Sequence, residues 1–318
     1  MIFRPAADPD LDRLMSWLVP DPASTLTADQ YKIRSGNREY RPEWTWVAEE
    51  SAGDPPVAVA VWWGSPGESQ PAAIDGLFVR ESVGSADRAG LAAGLLAAAH
   101  EAYGRAGAEQ LPEYHVFLPG DWHDWPDAVA ALAWREETAR RAGLTARLER
   151  LRYEWTPHAG LPDRPGRLLF RGEADDEVFA GLFRRVLADT LDATSRKGAE
   201  AAGPQTQARQ DVKFYRESML GERSWWRIAW TPDGQLAGFG IPSQNTECPV
   251  VGYLGVLPEH RGHGYVDEIL AEITRILAAE TGAAAIRGDT DLENLPMAAA
   301  FERVGYRNVG RRLVLSAR

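Results

Sequence analysis

The sequence predicts an α+β chain built as two halves with one order of elements. Three observations carry this. The chain has 318 residues, which suits two domains of about 150 residues each. The stretch TPHAGLPDRPGR, Thr156–Arg167, places three prolines and two glycines between structured segments. This is linker chemistry, and it sets domains at 1–156 and 166–318 with a linker at 157–165. Each half also opens with a short strand (MIFRPA, RLLFRG) followed by acidic residues and a helical stretch, Asp8–Leu18 in one and Asp175–Leu191 in the other.

The elements follow in order. In the first half Trp44–Glu49 and Val57–Trp63 read as a hairpin around a Gly-Asp-Pro-Pro turn. Ile74–Val79 is a strand, Asp87–Ala106 a helix, Tyr114–Leu118 a strand and Asp127–Ala142 a helix or helix pair. RLERLRYEWT closes the half as a strand. In the second half Ser224–Thr231 and Leu236–Ile241 flank the turn Pro232-Asp233-Gly234. Cys248–Leu257 is an apolar strand. Val266, Ile269, Leu270, Ile273, Ile276 and Leu277 recur at helical spacing, so Gly264–Glu280 is a helix that Gly282 ends. Ala284–Gly288 is a strand, Asn294–Val304 a helix and Arg312–Leu315 a last strand. The polar segment Ala193–Arg209 is either a mobile loop or a helix with a break.

Composition narrows the function. Apolar residues are 44% and charged residues 25%, a globular balance. No apolar run is long enough to span a membrane, and the N-terminus lacks the apolar core of a signal peptide. A single cysteine, Cys248, excludes a disulfide framework and any multi-cysteine zinc site. A cytoplasmic protein without a metal is expected. The net charge is −11, with 16 basic and 25 acidic residues up to Pro165 and 19 and 21 beyond it. Such a chain repels nucleic-acid phosphates and suits a cationic partner.

Chemistry concentrates in VVGYLGVLPEHRGHGYVDEILAEITRIL, a strand, a turn and a helix. Pro258 ends the strand. The first N–H groups of the helix lack intrahelical acceptors, and the dipole adds positive charge there. Glycines let a phosphate approach them closely. The turn lacks Gly-Lys-Ser/Thr and Gly-x-Gly-x-x-Gly, so neither a Walker A loop nor a Rossmann site is supported.

Val256-Leu257-Pro258-Glu259-His260-Arg261-Gly262-His263-Gly264-Tyr265 resembles the acetyl-CoA motif of the GNAT (GCN5-related) N-acetyltransferases, V-x-P-x-x-R-G-x-G. Asn294, Met297, Phe301, Gly305 and Tyr306 are similar to that family's downstream motif. The resemblance implies two tandem GNAT-like domains, as in mycothiol synthase, each a mixed, mostly antiparallel twisted sheet flanked by helices. It implies an acetyl-CoA-dependent N-acetyltransferase acting on a small-molecule amine, catalytic in the C-terminal domain.

Residue by residue, it implies that the backbone from Leu254 to Val256 pairs with the pantetheine arm. Arg261, Gly262, His263, Gly264 and Tyr265 would hold the pyrophosphate. Asn294 would bond the arm or a nearby backbone group. Val266 stands where the family usually has a small residue. Phe301 stands where many members have a tyrosine acid, so the thiolate leaves unaided or through water. Two carboxylates, Glu247 and Asp289, are the candidate bases. In the first half Arg88-Ala89-Gly90 is all that remains of the motif, and Asp87 competes with a phosphate. That half is expected to be a degenerate GNAT-like domain without cofactor, leaving it support, substrate contact or homodimerisation. The alternative reading is a non-catalytic acyl-CoA sensor.

Overall fold

The computed structural model describes residues 1–163 and 166–318, and of residues 8, 9, 85 and 86 the backbone only. The chain packs as two compact units, Met1–Glu149 with Gly310–Arg318, and Arg150–Val309.

The first unit contains β1 (Ile2–Pro5), α1 (Asp8–Leu14), α2 (Ala28–Gly36), β2 (Thr45–Glu49), β3 (Ala58–Trp63), β4 (Ala73–Val79), α3 (Ser85–Arg105), β5 (Glu113–Leu118), α4 (Pro126–Arg141) and the start of β6 (Ala146–Trp155). The second continues β6 and adds β7 (Leu169–Arg171), α5 (Asp176–Val186), α6 (Ala193–Ala202), α7 (Pro204–Glu217), β8 (Arg227–Trp230), β9 (Leu236–Gln244), β10 (Pro249–Val256), α8 (Tyr265–Thr281), β11 (Ile286–Asp291), α9 (Leu295–Arg303) and the start of β12 (Arg307–Ser316).

Within the first unit the strand order is β1-β2-β3-β4-β5-β12, antiparallel except between β4 and β5. Within the second it is β6-β11-β10-β9-β8-β7, antiparallel except between β10 and β11. Each unit is thus the expected mixed, mostly antiparallel sheet flanked by helices.

The unit limits differ from the expected boundaries at 156 and 166, and strand pairing is the reason. Arg150–Trp155 of β6 pair with β11 of the second unit. The last strand, assigned from sequence to the second half, pairs from Arg311 to Leu315 with β5 of the first unit. Leu313 and Leu315 lie in that unit's core.

Alternation builds the cores. Trp46, Ala48, Ala60 and Trp62 face α3, while Val47, Val59 and Val61 face α1 and α2. In the second unit α8 and α9 cover one face of the sheet, and α5 and α7 cover the other. Gly238 and Gly240 admit α8 closely, since a Cβ on either would stand 2.9 Å from an isoleucine of that helix. The segment 193–209 resolves as a helix with a break. Asp192 caps α6 by accepting the N–H of Ser195 at 2.6 Å, Gly203 turns with φ +84°, and Pro204 opens α7.

Candidate active site

The second unit has a gap in its sheet. β10 pairs with β9 along its whole length. With β11 it pairs only at Val250↔Arg287, after which β11 follows β6 to Asp291. Leu257 donates its N–H to Ala237 of β9 at 2.9 Å. Because successive strand residues alternate direction, Gly255 also faces β9, and Leu254 and Val256 turn their N–H and C=O groups into the gap. Val251, Tyr253 and Leu254 are only half-buried although apolar or aromatic. Gly252 is a β-bulge, the extra residue between Val251↔Pro242 and Tyr253↔Ile241. A Cβ there would stand 2.8 Å from the Ile241 carbonyl oxygen.

Beyond the gap the chain makes a 3-10 turn at Pro258–His260. It then passes through Gly262 (φ +81°) and Gly264 (φ +72°) into α8. L-residues avoid this region of backbone space. Among the described residues, the N–H groups of Gly262, His263, Gly264, Tyr265 and Val266 have no acceptor within the chain. Together with the dipole of a long helix, they form an anion cradle open to solvent.

Two arginines stand at this turn. Arg261, expected on the pyrophosphate, spends its guanidinium elsewhere. It donates to the carbonyls of Val186 (3.0 Å), Ala188 (3.0 Å), Asp189 (3.4 Å) and Val256 (3.3 Å). It therefore fastens the end of α5 to the turn, where helix carbonyls want a cation. Its N–H is also used, on Pro258 O at 3.2 Å. Arg167, which the sequence places only at the end of the linker stretch, lies beside the cradle. Its Nη1 donates to His263 O at 2.8 Å and its Nε pairs with buried Glu268 at 2.6 Å. No motif marks Arg167, because its place depends on the strand-opening segment packing on α8.

His263 is exposed, stacks on Tyr265 with ring centres 5.7 Å apart and bonds backbone carbonyls. Asn294 takes the second of its two expected roles, capping α9 by accepting the N–H of Met297 at 3.3 Å. Phe301 is 1% exposed, stacked on Tyr153 at 4.8 Å, and belongs to the core.

The face of the gap opposite α8 is charged. Three cross-strand pairs join β6 to β11: Glu154–Arg287 at 3.0 Å, Arg152–Asp289 at 3.8 Å and Arg150–Asp291 at 2.9 Å. Glu247, exposed at the rim, also pairs with Arg287 at 3.5 Å. Both expected bases thus lie near this face and each faces a guanidinium. Cys248, half-buried, has its thiol pushed up by burial and stays protonated.

A third carboxylate, Asp211 on α7, is held differently. Its Oδ1 accepts from Gln207 at 2.7 Å. Its Oδ2 is buried without a hydrogen-bond partner. Burial, with Asp192 adding repulsion, pushes its pKa up to about 6, against the opposing bond from Gln207. One turn along α7, Tyr215 donates its hydroxyl to the bulge carbonyl of Gly252 at 2.8 Å. Burial raises both Tyr215 and Tyr253, and the charges of Asp192 and Asp211 raise them further. Asp211 lies just past the segment read from sequence as loop or broken helix. The helical spacing of Gln207, Asp211 and Tyr215 is the signal that could have found it.

The first unit repeats the gap but fills it. β4 and β5 pair only at Ala73↔Glu113 and Ile74↔Tyr114. Arg135 of α4, 1% exposed, donates to Leu77 O of β4 at 3.1 Å and to Asp21 at 2.5 Å. The helix after β4 starts from Gly84 at φ −53°, without left-handed glycines, and carries Asp87 in its first turn.

Residues 193–306 match the sequence model of the acetyltransferase (GNAT) family. Three solved structures carry the same fold over nearly the whole length of the chain. A GCN5-related N-acetyltransferase from Sphaerobacter thermophilus aligns at 16% identity and TM-score 0.58, covering 98% of this chain and 94% of that one. A tandem GNAT protein from the clavulanic acid biosynthesis pathway aligns at 18% identity and TM-score 0.53, covering 99% and 98%. A GNAT-family acetyltransferase from Colwellia psychrerythraea aligns at 12% and TM-score 0.50, covering 100% of both chains. The second unit carries a GNAT acetyltransferase domain, and the whole chain has the fold of a tandem GNAT protein. No curated protein matches it by sequence. Among the described residues no helix is long and apolar enough to cross a membrane, and no group of three or more His, Cys, Asp or Glu could hold a metal.

Proposed function

We propose that the protein is an acetyl-CoA-dependent N-acetyltransferase, acting on a small-molecule amine in its second unit. One observation carries this: the β10–β11 gap leads straight into the glycine turn with its unpartnered N–H groups. An extended amide-bearing arm fits the edge of β10 at Leu254 and at the N–H of Val256, whose carbonyl already accepts from Arg261. A diphosphate fits the N–H groups from Gly262 to Val266, with Arg167 beside them and Arg261 fixing the turn from behind. His263 and Tyr265 are exposed or half-exposed where they can contact a nucleotide's phosphates.

In this reading the amine attacks the thioester carbon while a strand N–H stabilises the developing oxyanion. Proximity in the gap supplies much of the acceleration. Phe301 offers no proton, and a thiol of pKa about 8.5 leaves readily as thiolate. The carboxylates Glu247, Asp289 and Asp291 make the face attractive to a cationic acceptor, and the guanidiniums paired with them position its other polar groups.

The first unit serves as support. Arg135 occupies the edge that would take the arm, and Asp87 opposes a phosphate. Cytoplasmic residence and homodimerisation are part of the proposal, resting on the single cysteine and on a first unit with no chemistry of its own. The test is thiol release from acetyl-CoA with a panel of amines. Tight binding without amine-dependent release favours a non-catalytic acyl-CoA sensor, the reading that core-buried Phe301 supports.

A further inference from the structure

We propose that Asp211 is the general base of the transfer, receiving the proton of the acceptor amine on its unpartnered Oδ2. This rests on the acetyl-transfer reading above. Three observations place it there. Gln207 holds Oδ1, which fixes the carboxylate and leaves Oδ2 unclaimed. Tyr215, on the same face of α7, reaches the bulge at Gly252, so this face of α7 addresses the strand at the point where the gap opens. Tyr253, the next residue along β10, has its ring centre 6.3 Å from that of Tyr215.

Glu247 and Asp289 are less suited. Each has its carboxylate engaged by an arginine, whereas Oδ2 of Asp211 has no hydrogen-bond partner. Among the described residues no guanidinium pairs with Asp211. The groups around it are Asp192 and Ser195 of the α6 start, Gln207 and Tyr215 of α7, and Tyr253 of β10. Arg150 is paired to both Asp291 and Asp192. On the α5 side of α7 the charged residues are the exposed pairs Glu177–Arg209 and Asp176–Arg216. A carboxylate poised near neutral pH combines the right protonation state with useful basicity, and burial supplies that poise.

The step balances as follows. The neutral amine forms a C–N bond to the acetyl carbon as one nitrogen proton passes to Asp211. The C–S bond breaks and the thiolate departs. The proton on Asp211 returns through solvent and the thiol forms.

The test is the pH profile of kcat/KM for the full chain, followed by thiol release with ethanolamine, putrescine, tyramine and glucosamine. Below about pH 6 the wild type should lose activity with slope 2 on a log scale, one proton from the amine and one from Asp211. In Asp211→Asn, kcat should fall roughly 10²- to 10³-fold and the slope should be 1 throughout, with acetyl-CoA affinity by calorimetry within twofold of wild type. If Asn does not fold, Asp211→Ala with added formate replaces it, and recovery of rate by formate is expected. Amine-dependent release with the same profile in wild type and variant, or no formate rescue, overturns the base alone. No amine-dependent release from a wild type that binds acetyl-CoA overturns the acetyl-transfer reading, and the base with it.

Discussion

A carboxylate kept away from water raises the energy of its own charge, and Asp211 shows the consequence for stability. Its folded pKa, about 6, lies above the ordinary 3.8. The unfolded chain therefore releases this proton first, and the contribution of Asp211 to stability is lost as pH rises from about 4 to 6. Above pH 6 the penalty is constant, on the order of 2 kcal/mol after allowing for partial exposure. Asp211→Asn should gain about that much over wild type at pH 8 and nothing at pH 3.5, read from urea titrations. Glu268 is the opposite case. It is 4% exposed and its partner is Arg167. Arg167→Ala removes the guanidinium but keeps the backbone N–H of residue 167 that donates to Glu268 at 3.0 Å, so it should cost about 1–3 kcal/mol in the same titrations, and should also weaken acetyl-CoA binding. Arg261 teaches a related lesson. A motif arginine beside a phosphate turn reads as a phosphate ligand, yet four carbonyls claim its donors. Sequence gives its charge and place in the chain, while three of those carbonyls, on Val186, Ala188 and Asp189, belong to the end of α5 and the loop after it, some seventy residues earlier.

Elements make the site because two of them part. The glycine turn at the start of α8 needs both its left-handed residues and an uncontested positive end. Gly264→Asp places a carboxylate among the free N–H groups, and acetyl-CoA binding by calorimetry should vanish while the circular dichroism spectrum is retained. On the other side of α8, Gly240→Ala would push a methyl group to 2.9 Å from Ile273 Cδ1. That overpacking should cost about 1–3 kcal/mol, measurable as a lower urea midpoint. The strands and helices around this site were legible in the sequence wherever a period was unambiguous. The apolar positions of α8 repeat at 3–4 spacing, and Gly282 ends the helix as a left-handed cap with φ +59°. The Pro-Gly turns stood out in the same way. What stayed out of reach depends on contacts between elements. The polar run at 193–209 has little apolar period, and only packing of α6 on α7, with Asp192 as cap, makes it helical. The gap shows in no period or composition, since each of its two strands looks ordinary by itself; only the family resemblance, which sets the backbone from Leu254 to Val256 against the pantetheine arm, implied that β10 parts from its neighbour.

On the scale of the whole molecule, the repeated fold does not imply a repeated function. The first unit keeps the parting of its central strands, and Arg135, hydrogen-bonded to Leu77 and Asp21, fills it. Calorimetry should therefore find one acetyl-CoA per chain, and a second equivalent would show that Arg135 gives way. The sequence-based division at 156 missed that the first unit borrows its last strand from the far end of the chain. This bears on synthesis. At about 5–20 residues per second, a ribosome that has finished Glu149 needs roughly 10–30 s more to reach Leu315. During that interval β5 waits as an open sheet edge over a core lacking Leu313 and Leu315. Maturation thus runs backwards along the chain: the segment translated first is the last to be completed, and a nascent chain stalled before Gly310 offers quality-control proteases an unfinished N-terminal half.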